Sequence, residues 1–222
     1  VSVNTRAAEV DPGSGIKMSI GDNSYQKFTA FHNTGVNELG WSSSFLLGFW
    51  QGDGWRNGMQ GEGTTYAFSV GYTPRGGNHE FNFSLIGAGQ WHHQAYYGTQ
   101  LQDYLDYGPI QGDDFRKFNA LYGDYQGEEF SILRNYYNKP LATFNWDWEI
   151  SSRVTLATSL YGSAGRGGGT GLRGRGSYGV SPFRESYAEY LDDHGEWRNS
   201  DTTINWDLSL IHISEPTRLP PI

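Results

Sequence analysis

A chain of 222 residues with 36% hydrophobic residues, 18% charged residues, 16% aromatics and 31 glycines has the composition of a β-rich protein rather than a helical one. No window approaches the roughly 18 consecutive apolar residues of a membrane-spanning helix, and the absence of cysteine excludes disulfides, thiolate metal sites and cysteine nucleophiles. A net charge of −8 argues against a polyanionic nucleic acid as partner.

The chain opens on Val1-Ser-Val-Asn-Thr-Arg6, which has neither the charged start nor the apolar middle of a signal peptide, so an exported protein is expected to have lost its N-terminus. Alternation of apolar and polar residues then marks the strands. Ile16, Met18 and Ile20 alternate with Lys17 and Ser19; residues 24–33 form a weaker strand whose faces the pattern does not assign; in residues 41–50, Phe45, Leu47 and Phe49 share a face. Tyr66, Phe68, Val70 and Tyr72 oppose Ala67, Ser69 and Gly71, and Phe81, Phe83 and Leu85 oppose Asn82 and Ser84. Phe144, Trp146 and Trp148 oppose Asn145, Asp147 and Glu149; Val154, Leu156, Thr158 and Leu160 oppose Thr155, Ala157 and Ser159; residues 202–207, with Ile204 and Trp206 together, begin an eighth strand.

The connections alternate between tight turns (residues 35–40, 74–78 and 151–153) and longer polar or aromatic stretches (51–64, 90–140 and 162–201). Short periplasmic turns and long extracellular loops are the two rims of a transmembrane β-barrel. The expected fold is therefore all-β, an antiparallel meander of about eight strands belonging to a larger transmembrane barrel. On this reading Tyr66, Phe68, Val70, Tyr72, Phe81, Phe83, Leu85, Phe144, Trp146, Trp148, Val154, Leu156 and Leu160 face lipid, and Trp41, Tyr72, Trp148 and Trp206 stand near strand ends as an aromatic girdle. The alternative is a soluble or surface-anchored carbohydrate-binding β-sandwich that folds the same apolar residues inward.

Residues 90–140 carry the candidate ligand-binding aromatics Trp91, His92, Tyr96, Tyr97, Tyr104, Tyr107 and Tyr122, suited to stacking on sugar faces or gripping a chelate. The competing reading packs these rings into a small core of the loop itself, with helical turns over residues 101–107 and 114–121. His92 and His93 are adjacent on an extended segment and point to opposite faces, which argues against a shared metal. The acidic pairs at 113–114, 128–129 and 192–193 have no calcium-loop spacing. Gly165–Gly179, with Arg166, Arg173 and Arg175, lacks the Lys-Ser/Thr of a phosphate loop and reads as a flexible loop. Ser186 and Glu189 have capping-box spacing for a short helix over 184–193. No nucleophile elbow or zinc-binding His-Glu-x-x-His is present, and Asp147 and Glu149 read as water-facing. The expectation is no catalytic residue, no metal, no cofactor and no enzyme.

Several phrases carry a resemblance. Val3-Asn-Thr-Arg-Ala-Ala8, Tyr25-Gln-Lys-Phe28, His32-Asn-Thr-Gly35, Arg134-Asn-Tyr-Tyr-Asn-Lys-Pro140 leading to Phe144-Asn-Trp-Asp-Trp148, and Leu156-Ala-Thr-Ser-Leu-Tyr-Gly162 leading to Gly165-Arg-Gly-Gly-Gly169 recur in order. Together they resemble the passage from plug to first barrel strands in nutrient-importing TonB-dependent outer-membrane receptors. The likeness covers most of residues 1–207 through short phrases. It implies a plug end and barrel entry over 1–13 and a partial barrel over 14–207, within a barrel of about 22 strands around a plug. It also implies a glycan, peptide or metal-chelate ligand, a TonB complex as energy source, outer-membrane lipid as surroundings and a surface lipoprotein as partner. The TonB box, most of the plug and over half of the barrel are expected to lie outside this chain, so no transport is expected from it alone.

Leu208-Ser-Leu-Ile-His-Ile-Ser-Glu-Pro-Thr-Arg218 translates one reading frame of a transposase adapter used for sequencing libraries. Residues 208–222 are therefore expected to be read-through and are left out of the fold reading.

Overall fold

The computed structural model describes residues 6–95, 99–171 and 199–207. Period-two alternation becomes strand almost wherever it occurs. β1 (Gly13–Ile20), β2 (Gln26–Asn33), β3 (Trp41–Gly52), β4 (Gly61–Tyr72) and β5 (His79–His93) follow one another as an antiparallel meander. Two short strands, β6 (Gly123–Tyr125) and β7 (Glu128–Phe130), precede β8 (Arg134–Asn138) and β9 (Leu141–Ser151). β5 pairs with β9 over His79–Ile86 and also has β8 as a neighbour. Lys139-Pro140 breaks the line between β8 and β9, since proline brings no N–H to a ladder. β9 pairs with β10 (Val154–Ser163), and β8 with β11 (Arg166–Gly169).

Cross-strand ring and aliphatic pairs hold the register: Phe28 opposite Phe49, Phe81 opposite Trp146, Phe83 opposite Phe144, and Leu156 opposite Trp148. A register slip of one residue would carry each of these to the other face, so the pattern fixes the pairing. The same register assigns β2, which alternation alone left open. Phe28 and Ala30 lie with Phe49 and Leu47 on one face, while Phe31 faces Leu46 on the other.

The turns are built by side chains suited to them. Asn37 Oδ1 accepts the N–H groups of Leu39 and Trp41 at 2.9 and 3.0 Å, closing the β2–β3 connection. Gly40 then sits at φ +86°, and a Cβ there would collide with the Thr73 carbonyl, because the Thr73 N–H donates to the Gly40 carbonyl at 2.8 Å.

The described chain divides into two compact units: residues 6–52, 62–91 and 136–168 in one, and the remaining described residues in the other. The second has its own core of Phe118, Ala120, Leu121, Ile204 and Trp206, with Tyr104, Tyr107, Tyr125 and Phe130 packed against it. Around it lie α1 (Leu101–Asp106), α2 (Gly108–Gln111), a 3-10 turn at Phe115–Lys117, and a small sheet in which β12 (Ile204–Asn205) runs parallel to β6 and β6 antiparallel to β7.

Five sequence expectations are corrected. Residues 202–207 do not extend the meander; only Ile204–Asn205 is strand, in the small sheet. Trp206 is buried in the second unit's core rather than standing in a girdle, because its apolar neighbours are loop residues of that unit. β3 and β4 continue into the stretch read as loop 51–64, leaving residues 53–60 as the connection. β5 likewise runs on to His93, so Trp91 and His92 are strand residues, and Arg166–Gly169 is strand rather than loop. Tyr96 and Tyr97, the helix read at 184–193, Arg173, Arg175 and residues 208–222 lie outside the described residues.

Candidate functional site

The large sheet presents two unlike faces. One gathers Tyr66, Phe68, Val70 and Tyr72 of β4, Phe81, Phe83 and Leu85 of β5, Phe144, Trp146 and Trp148 of β9, and Leu156 and Leu160 of β10; Ile16, Met18, Ile20, Phe28, Phe45, Leu47 and Phe49 join them from β1 to β3. Val154 is exposed at a register irregularity beside the β9–β10 turn. The other face carries Ser69, Asn82, Ser84, Thr143, Asn145 and Asp147.

Burial is inverted relative to a protein with an apolar core. Phe68 is 44% exposed, Phe83 42% and Leu156 44%, whereas Ser69 is 6%, Asn82 2% and Ser84 1% exposed. In water an exposed belt of this extent is unfavourable, at about 25 cal/mol for each Å² of apolar surface left wet. The rings on it are organised. Trp146 and Trp148 stack at 6.2 Å and 7°, Phe81 and Trp146 at 6.4 Å and 5°, and Trp41 and Tyr72 at 4.5 Å. Trp146 Nε1 donates to His79 Nδ1 at 3.2 Å, and Trp91 Nε1 donates to Glu62 Oε1 at 2.8 Å, so these indoles have polar partners at the strand ends.

Part of the polar face is covered by residues 6–9. A single 3-10 turn at Ala7–Glu9 lies on it, with Ala7 fully buried. Asn82 Oδ1 accepts both the Ala7 N–H at 3.2 Å and the Ser69 hydroxyl at 3.0 Å. Arg6 reaches Glu80 at 3.0 Å and Asp147 at 2.5 Å, carboxylates that face each other across β5 and β9. Asp147, read from sequence as water-facing, is thus an anchor for Arg6. Sequence reasoning missed Asn82 as a hub. Its only signal was an asparagine at mid-strand between two phenylalanines.

Further along the same face lies a concavity of about 610 Å³, lined by Thr65, Ala67, Ile86, Ala88, Leu141, Tyr161 and Lys139 among others. Its floor is made of small residues of β4 and β5, and its walls are bulkier. No sequence expectation named it, because its residues come from four separated strands.

The loop aromatics meet the loop's own core. Tyr104 packs edge-on to Phe118 at 5.9 Å and Tyr107 stacks on it at 6.0 Å. Arg56 lies 5.5 Å from the Tyr104 ring centroid. Tyr122 is half-buried against Gly58, and burial, aided by the charges of Glu129, Asp124 and Asp201, pushes its phenol above the usual range. Glu129 is half-buried too; burial and then the negative charge of Asp53 push its carboxyl above the ordinary carboxylate range, and its Oε1 has no hydrogen-bond partner among the described residues. Trp91 and His92 stand on opposite faces of β5. Among the described residues, no group of three or more His, Asp or Glu side chains is placed to hold a metal ion.

Comparison with family models, with curated proteins and with solved structures yields no match for this chain.

Proposed function

We propose that the chain is a part of a bacterial outer-membrane β-barrel of the TonB-dependent importer kind, the first barrel strands together with the end of the plug. The observation that carries this reading is the inverted sheet, with apolar and aromatic side chains exposed on one face, Ser69, Asn82 and Ser84 buried on the other, and Arg6 and Asp147 paired and half-buried beside them. A barrel in a bilayer needs this arrangement, because hydrocarbon replaces the core as the partner of the apolar face and the lumen holds the polar one. A sandwich needs the reverse, with its apolar faces closed on each other.

Three further features support it. The connection between β5 and β8 takes in residues 94–133 with helices and a small core, while the others between β1 and β5 and that between β9 and β10 are short, and one long, structured connection suits an extracellular rim. Ring pairs and indole hydrogen bonds gather near strand ends, at headgroup depth in this reading. A segment entering on the polar face and held there by Arg6 and Asn82 suits the end of a plug inside a lumen.

The parent would take a glycan, peptide or metal chelate from outside, draw energy from a TonB complex and work with a surface lipoprotein. The resemblance of the sequence phrases supports that assignment, and the half-buried Tyr104 and Tyr107 leave the stacking role to rings less engaged in the loop core. The test is quenching by brominated phospholipid in a reconstituted sample. Single-tryptophan versions retaining Trp146 are expected to be strongly quenched, and versions retaining Trp50, which stacks on Tyr25 from the other face, weakly. Equal, weak quenching of both would overturn the reading.

A further inference from the structure

We infer that the concavity on the polar face is a binding site for a small apolar ligand ending in a carboxylate, with Lys139 as its anion partner. The inference rests on the barrel reading for its setting, since it places the site on the lumenal wall, but its geometry stands by itself.

Thr65 and Ala67 of β4 and Gly87 and Ala88 of β5 make a floor with little side chain on it, while Ile86, Leu141 and Tyr161 rise around it. By register Leu141 stands opposite Ile86 and opposite Ser163, so three adjacent strands contribute to one wall. The volume of about 610 Å³ falls within the range of small-molecule sites and far exceeds a single water. Around Asn82, Ser84 and Arg6 this face is polar and satisfied by partners, whereas around Ile86 and Leu141 it is apolar.

Lys139 is the charged residue of the lining. It lies at the break between β8 and β9, where Ser163 Oγ donates to the Pro140 carbonyl at 2.8 Å and holds the interruption in place. The Lys139 stem runs beside Gly165; a Cβ there would lie 3.2 Å from Lys139 Cγ, so the glycine leaves the stem its room. Among the described residues Lys139 makes no ion pair, whereas Arg6 and Arg116 each have carboxylate partners. An apolar hollow with one lysine in its lining, in no ion pair among the described residues, selects an apolar body with one negative end. It disfavours a polyol, which would leave its hydroxyls unpaired against Ile86 and Leu141.

The experiment is calorimetric titration of the full chain, folded in amphipol, with hexanoate, N-acetyl-Leu-Leu, hexanol and hexylammonium. The expected result is saturable binding of one or both carboxylates at least about tenfold tighter than of hexanol, with no binding of hexylammonium. Lys139→Met is expected to erase the preference for carboxylate over hexanol, and Ala88→Trp, which fills the hollow, to weaken all binding at least about tenfold. Tighter hexanoate assigns the natural ligand to acyl chains and tighter N-acetyl-Leu-Leu to peptide ends. Absence of saturable binding, or carboxylate binding unchanged in both variants with native circular dichroism, overturns the inference. Lipid quenching of Trp146 separates the two claims: quenching without carboxylate binding sinks only the site, and carboxylate binding without quenching sinks only the membrane setting.

Discussion

Asn82 lies between two phenylalanines on β5 and is far more completely buried than Phe83 beside it. Its burial is tolerable because its Oδ1 accepts from the Ala7 backbone and the Ser69 hydroxyl. Asn82→Ala leaves a buried backbone N–H without its acceptor, so a loss of about 1–3 kcal/mol in folding stability is expected, read from urea titration of the wild type and variant. Asn82→Asp keeps an acceptor and is expected to hold the N-terminal segment better than alanine does; a larger loss for aspartate would contradict the hub assignment. On the opposite face, Phe68→Arg is expected to cost about 2–4 kcal/mol when folding is measured into bilayers, because the guanidinium would sit near the middle of the hydrocarbon. On a strand face left in water the same substitution would be nearly silent.

At the scale of elements, period-two patterning made β1, β3, β4, β5, β9 and β10 legible, since each has a run of apolar residues two apart. The ends were less legible. Gly61–Thr65 and Gly87–His93 have few large apolar side chains, and they are strand because their neighbours pair with them, information absent from local sequence. Ile204 and Trp206 mimic a strand start, yet their partners are Phe118 and Leu121, more than eighty residues earlier, a contact that no local pattern encodes. Of the candidate loop aromatics, Tyr104 and Tyr107 pack together on Phe118, while the concavity and Lys139 escaped because they exist only after strands are placed side by side. Gly40 offers an element-level test: Gly40→Ala combines a left-handed φ with a clash at the Thr73 carbonyl, and a loss of at least about 1 kcal/mol with local exposure of the β2–β3 turn in hydrogen exchange is expected. The second unit has a pH dependence of its own. Glu129 is raised by burial and by Asp53, so in the folded unit the protonated form is favoured; its contribution is fully present below the ordinary carboxylate value and is lost as pH rises through the raised one. Protection of the amides around Phe130 and Leu121 is therefore expected to fall with rising pH over that window, and Glu129→Gln to flatten the profile. A profile that is unchanged in Glu129→Gln would assign the effect elsewhere.

For the whole molecule, the distribution of polarity bears on settings that backbone topology alone does not separate. A meander of antiparallel strands is compatible with a sandwich, an open sheet or a barrel wall. What distinguishes them is which face finds a partner of its own kind, and here the polar face finds Arg6 and Ala7 while the apolar face remains exposed. The chain has no cysteine, so single cysteines can be introduced and spin-labelled without background. The most direct measurement is the paired accessibility of labels at Phe68, Phe83 and Leu156 and at Asn145, Thr155 and Ser159, to oxygen and to a water-soluble nickel chelate, in reconstituted bilayers. The account predicts that the first set is reached by oxygen and shielded from nickel, and that the second shows the opposite, alternating residue by residue along β9 and β10. Nickel reaching Phe68, Phe83 and Leu156 as readily as Thr155 would contradict it.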